Sequence, residues 1–328
     1  MVWCLPQIWR PAGYHGQSAR NHDFFEGWFF KFVDPSRAHI YAFIPGILLG
    51  SDPHSFIQIL DGQTHQSDYI RFRVDQFWAA SDRLDIQIGD NHFNERHCQL
   101  QIRSGQRTVF GRVEFGPLRP WPVKLWSPGA MGWYAIVPFM ECFHGVISFD
   151  HPLSGTLTIN DAPISFENGR GYIEKDWGRS FPSAYIWIQS NHFDQPGISL
   201  MASIANIPWF SRSFRGFIIA LWLHNRMYRF ATYTGAELDY VILRDDQVEI
   251  LVKDRHFALR ISAVRTSAGL LRAPYANRML QRISESLNSS VSIELFQRSS
   301  QGERLIYRGT GEPAGLDVNG KLEEIIDR

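Results

Sequence analysis

The sequence predicts an all-β protein of two domains with little helix, and three observations carry that expectation. Short runs of β-branched and aromatic residues recur along the chain, separated by turn pairs such as Asp61-Gly62, Gly89-Asp90 and Ser104-Gly105. Strands at this spacing suit a sandwich or barrel. Amphipathic helical periodicity is nearly absent, with single helical turns expected only at 76–81 and 276–285. A length of 328 residues exceeds the usual size of one domain, so the chain is divided into 1–165 and 166–328.

Taken in order, residues 1–23 mix Pro, Gly, His and Trp without a period and read as a draped segment. The first strand is FFEGWFFKFV at 24–33, where Glu26 sits within an aromatic stripe with Phe24, Trp28, Phe30 and Phe32. A charge there needs a cationic partner or a raised pKa. A ligand pocket and an inter-domain salt bridge explain Glu26 equally well. Further strands are expected at 39–45, 55–60, 69–74, 84–88, 98–103 and 108–115. Residues 116–132 hold four prolines and two tryptophans and read as a long connection. Strand patterning resumes at 132–138 and 142–149, where Glu141 and His144 are read as structural. A hairpin follows at 155–159 and 164–167. The second half repeats the plan, with strands at 198–207, 214–224, 227–234, 240–243, 248–252, 256–264, 270–273, 291–297 and 304–309.

Composition narrows the function. Lys plus Arg equals Asp plus Glu at 33 each, so no basic balance recommends a nucleic-acid partner. Aromatic residues are 14 % of the chain, with 11 tryptophans, enough to wall a bulky apolar ligand as well as to fill a β core. Three cysteines, Cys4, Cys98 and Cys142, form no CxxC pair, which fits free thiols in a reducing, cytoplasmic compartment. The start lacks a signal-peptide pattern, and the most apolar window, 217–223, is too short to span a bilayer. A soluble protein with at most peripheral membrane contact is expected. Phosphate loops, dinucleotide fingerprints, nucleophile elbows and HExxH are missing, and no histidine spacing suggests a metal.

The densest chemistry lies in GYIEKDWGRSFPSAYIWIQSNHF at 171–193. Alternation along a strand places Tyr172, Glu174 and Asp176 on one face and Ile173, Lys175 and Trp177 on the other, with the two acids roughly 7 Å apart. Past the 178–182 turn, Tyr185, Trp187, Gln189 and Asn191 share a face opposite Ala184, Ile186 and Ile188. One aliphatic and one aromatic, amide-bearing face suit a wall between a core and a ligand cavity. A buried inter-sheet strand with hydrogen-bonded acids is the plainer reading.

EKDWG followed by FPSAYIWIQSNHF resembles the signature of the tocopherol cyclase family. FEGWF at 25–29, the Gly-Trp…Pro segment at 132–138 and LRAP at 271–274 are similar to further family elements in the same order. The resemblance implies two lipocalin-like β domains about a pseudo-twofold axis, with the ligand between them. It also implies a cofactor-free reaction on a hydrophobic small molecule: closure of a prenylated hydroquinone to a chromanol by alkene protonation and phenol addition. Such chemistry needs a carboxylic acid kept protonated by burial. The family motif carries Asn or Asp at the position of Asp176, so Glu174 is the expected donor and Asp176 an orienting group. Glu26, Trp28, Trp177, Tyr185, Trp187, Gln189 and Asn191 are expected to line the ligand. Indole faces would stabilise a cation by about 1–2 kcal/mol each, and Lys175 would offset the carboxylate if the backbone turns it inward. A lipocalin-like carrier and an isoprenoid hydratase are the alternatives.

Overall fold

A computed structural model describes residues 5–18, 23–105, 107–137, 140–275 and 278–327. Nearly all regular structure is β. The chain runs through β1 (Phe24–Val33), β2 (Ile40–Leu49), β3 (His54–Asp61), β4 (Ser67–Phe72), β5 (Phe77–Ala79), β6 (Asp85–Ile88), β7 (Asn91–Asn94), β8 (His97–Ser104), β9 (Arg107–Phe115), β10 (Cys142–Ile159), β11 (Ala162–Ser165) and β12 (Gly169–Gly178). It continues through β13 (Ala184–Ser190), β14 (Ile198–Trp209), β15 (Arg212–Leu223), β16 (Arg226–Ala231), β17 (Glu237–Arg244), β18 (Gln247–Lys253), β19 (Phe257–Val264), β20 (Gly269–Tyr275), β21 (Arg278–Ser299) and β22 (Gly302–Gly320). The first twelve strands form one antiparallel sheet and the last ten another. The all-β expectation therefore holds.

By contacts the chain divides into two units: Met1–Phe181 with Leu270–Arg282, and Pro182–Gly269 with Ile283–Arg328. The division falls later than residue 165. The reason is pairing: β12 lies between β1 and β10, so the stretch read as the opening of the second half closes the first. The sequence likeness between 24–33 and 171–178 is that of two adjacent strands, with Glu26 opposite Trp177 and Trp28 opposite Lys175.

In the first unit Phe30 packs against Phe93 and Phe115, and Phe32 against Phe43, Phe115 and Phe166, with centroids 5.2–6.2 Å apart. Offset and edge contacts at this range add to the area buried. β1 shows no polar face because both sides are buried. In the second unit Ile186 and Ile188 of β13 point into an aliphatic core with Leu200, Ile219, Ile261 and Leu316.

The two helical turns expected at 76–81 and 276–285 do not form as such. A short 3-10 turn at Val74–Gln76 precedes β5, and Arg278 onward is β21. Ala276 lies outside the described residues, as do Cys4, Pro138 and parts of the 1–23 segment. The 116–132 connection is irregular, apart from a single bridge between Lys124 and Ser127. Cys98 and Cys142 are free thiols. Among the described residues no helix is long and apolar enough to cross a membrane.

Candidate active site

β12 carries ionisable groups on both faces, and its neighbours decide what each meets. Its end is drawn close to the start of β10 at Gly178, whose φ is +148° and where a Cβ would lie 2.2 Å from the Glu141 carbonyl oxygen. Only glycine fits both the space and the backbone there. This approach lets the Arg179 amide donate to the Glu141 carbonyl at 2.8 Å and puts His144 opposite Asp176.

On one face Tyr172 Oη donates to Glu174 Oε2 at 2.5 Å, and His144 Nδ1 lies 3.0 Å from Asp176 Oδ1. The second nitrogen, Nε2, is 3.7 Å from Glu174 Oε2. The side chains of Glu174, His144 and Asp176 are 7 %, 12 % and 27 % exposed, so the row runs from a buried acid toward solvent. Burial alone would lower the His144 pKa, but the Asp176 and Glu174 carboxylates outweigh it and raise the value to about 9. His144 is thus an imidazolium at neutral pH. Burial, reinforced by Glu174 and Asp176, pushes the Tyr172 phenol well up.

These three groups could each offer a metal one atom within 4.8 Å of the others. The imidazole, however, addresses the acids through opposite nitrogens, an arrangement suited to a shared proton rather than to one common ion.

The other face holds a second, buried assembly. Lys175 Nζ donates to Glu26 Oε1 at 2.8 Å and to the Gly13 carbonyl at 2.5 Å, and lies 2.8 Å from His15 Nδ1. Both side chains of the Lys175–Glu26 pair are fully buried. The backbone amide of His15 donates to Glu26 Oε2 at 2.8 Å, and its ring stacks on Trp177 at 4.3 Å. Burial lowers the Lys175 pKa, Glu26 opposes it, and the value falls to about 8. Against the cost of its own burial, Glu26 is held below the ordinary carboxylate value by Lys175 and His15.

Glu26, Trp28, Lys175 and Trp177 therefore lie on the opposite face from Glu174 and Asp176. The Lys175 ammonium lies 4.5 Å from the ring centroid of Trp177 and 5.4 Å from that of Trp28, so it occupies the indoles expected to face a carbocation. Lys175 does not turn toward Glu174, because β12 keeps its alternation through the motif.

A hollow lined by Pro11, Met131, Phe143, His144 and Trp177 measures about 360 Å³ out to solvent but admits about one water. The 116–137 connection supplies Pro128, Ala130, Met131 and Ala135 to it, and elsewhere in that connection Leu125 and Trp126 are each 78 % exposed.

In the second unit Tyr185, Trp187, Gln189 and Asn191 are buried away from the aliphatic core. Tyr185 Oη donates to Asp317 Oδ2 at 2.7 Å. Gly315 makes room for Trp187, whose Cζ3 would lie 2.5 Å from a Cβ there.

The sequence reading took His144 as structural and did not place it beside Glu174 and Asp176. Its signal was present only as the chance to pair with Asp176, 32 positions on, and it needed strand register to be seen.

The profile of the tocopherol cyclase-like family matches residues 106–320. A probable chloroplastic tocopherol cyclase of Oryza sativa subsp. japonica is 22 % identical over 58 % of this chain, and the match spans only 42 % of the rice protein. The chloroplastic tocopherol cyclase of Zea mays is 24 % identical over 94 % of this chain and 77 % of its own. Among solved structures, CghA with Sch210972 superposes with a TM-score of 0.55 at 7 % identity, covering 91 % of this chain and 89 % of the other. That likeness concerns the fold, which is lipocalin-like in both units.

Proposed function

The chain belongs to the tocopherol cyclase-like family, and on that premise we propose that it is a cyclase closing a prenylated hydroquinone to a chromanol, with Glu174 as proton donor. The observation that carries the reading is the row Tyr172–Glu174–His144–Asp176. It gives one strand face a carboxyl group, a proton reservoir beside it and a graded path to solvent.

The step balances without a redox partner. The Glu174 carboxyl proton forms a C–H bond with the less substituted alkene carbon, using the π pair and leaving a tertiary cation. The phenol oxygen forms the C–O bond, and its proton passes to the carboxylate, so substrate and product are isomers. His144 and Glu174 hold their protons as a coupled pair, and Asp176 orients the ring. To act as donor Glu174 works in its neutral form, with the proton shared between it and His144.

The exposed Leu125 and Trp126, in the same connection that supplies Pro128, Ala130 and Met131 to the hollow beside His144, support peripheral contact with the membrane that would hold such a substrate. Trp favours the bilayer interface.

Incubation with a prenylated hydroquinone in D2O tests the reading. An isomeric chromanol carrying one deuterium on the new saturated carbon is expected. A product heavier by one water would instead make the protein a hydratase, and unchanged recovery of a bound quinol would make it a carrier.

A further inference from the structure

LRAP at 271–274 is a motif that the proton chemistry leaves without a role, and its arginine lies in a second cleft of the first unit. The cleft is open and measures about 650 Å³ counted out to solvent, with Asp52, Arg71, Arg272, Arg278, Met279 and Leu280 in its walls. Arg272 is fixed at both ends. Its backbone is clamped by the Gln58 side chain, whose Nε2 donates to the Arg272 carbonyl and whose Oε1 accepts from the Arg272 amide, both at 2.9 Å. Its guanidinium lies 4.8 Å from the ring centroid of Tyr69. Tyr69 is itself held by His54 Nε2 at 2.6 Å and stacks on Phe56 at 5.1 Å.

The charges in the walls do not cancel. Asp52 is spent on Arg71 through a bidentate pair at 2.7 and 2.8 Å. Arg272 and Arg278 form no ion pair among the described residues, so three cations against one anion leave the cleft with an excess of about two positive charges. Preorganised guanidinium forks match phosphate oxygens, and Met279 and Leu280 give the same cleft an apolar wall.

We propose that this cleft is an anion site for a phosphate or diphosphate group attached to an apolar chain. The group is carried either by a free prenyl diphosphate or by a phospholipid head. The site is separate from the proton chemistry at Glu174 and stands or falls independently of it.

Calorimetric titration with inorganic pyrophosphate tests it on the full chain. Binding that weakens with salt, and about tenfold or more in each of Arg272→Gln and Arg278→Gln, is expected. Both side chains are exposed, and the Gln58 clamp on residue 272 uses only backbone atoms, so the variants keep the fold. No binding, or binding that the substitutions leave unchanged, would overturn the proposal. Two further arms identify the source. Competition by soluble geranyl diphosphate, with no preference for vesicles containing phosphatidic acid over neutral ones, assigns a free diphosphate. A preference for anionic vesicles that the two substitutions abolish assigns a lipid head.

Discussion

His144 and Asp176 face each other across β10 and β12, with Nδ1 3.0 Å from Oδ1, and this pairing turns a strand of acids into a proton-holding group. An imidazole this buried would otherwise be neutral; between two carboxylates its pKa is about 9. An unfolded histidine titrates near 6.5. The raised value therefore contributes stability that is complete below about pH 6.5 and lost as pH rises through about 9, on the order of 3 kcal/mol in all. The unfolding free energy of wild type minus that of His144→Gln should shrink over that interval. A difference constant from pH 6 to 10 would show that the imidazolium is not held as described.

The two acids should separate by role. Glu174→Gln keeps an acceptor for Tyr172 Oη but supplies no proton, so cyclisation should fall by a factor of about 10² to 10⁴, the usual worth of a general acid, while quinol binding persists. Asp176→Asn keeps an oxygen for His144 Nδ1 and should retain activity within about tenfold. It should also lower the His144 pKa by removing one of the two charges that raise it, which an NMR titration of that ring would record. An inactive Asp176→Asn beside an active Glu174→Gln would reverse the assignment.

How much of this was legible in the sequence follows from the range of the contacts. Period-two alternation and Gly-centred turns are local, so most of the strands could be read, but the short β5 and β7 were missed and the strand expected at 132–138 is a 3-10 turn at Gly132–Ile136. The same alternation separated Glu174 and Asp176 from Lys175 correctly. What Lys175 meets was not local: Glu26 is 149 positions away, and Gly13 and His15 belong to an aperiodic segment that no pattern marks. The stretch at 276–285 reads as helical, and Met279 and Ile283 there are spaced as on a helix. Ile283, Glu285 and Leu287 also alternate as on a strand, and pairing of Glu285 with Asp317 in β22 decided between the two.

Exposed apolar residues of the 116–137 connection should matter for substrate delivery rather than for chemistry. Leu125→Ser combined with Trp126→Ser removes two side chains that are 78 % exposed, so stability should change by no more than about 0.5 kcal/mol. Flotation with lipid vesicles should drop, and turnover of vesicle-borne quinol should drop with it, while turnover of a short-chain soluble quinol stays the same. Equal loss on both substrates would place these residues in the site itself.

The Lys175–Glu26 pair should behave as a buried ion pair whose value lies in being complete. Lys175→Met leaves Glu26 charged and fully enclosed, which typically costs about 3–5 kcal/mol. Adding Glu26→Gln should recover part of that loss, because the amide carries no charge yet can still accept from the His15 backbone amide that now meets Glu26 Oε2 at 2.8 Å. Recovery will be incomplete, since the Gly13 carbonyl loses its donor in both variants. The pH dependence has a defined sign. Lys175 releases its proton near pH 8 in the folded chain, below the ordinary lysine value of 10.5, so between these values the unfolded chain binds the extra proton and folding is favoured as pH rises. The stability difference between wild type and Lys175→Met, followed by chemical denaturation, should therefore grow from pH 8 to 10.5. A double variant no more stable than Lys175→Met would mean that the cost comes from lost packing around Trp28 and Trp177 rather than from the stranded carboxylate.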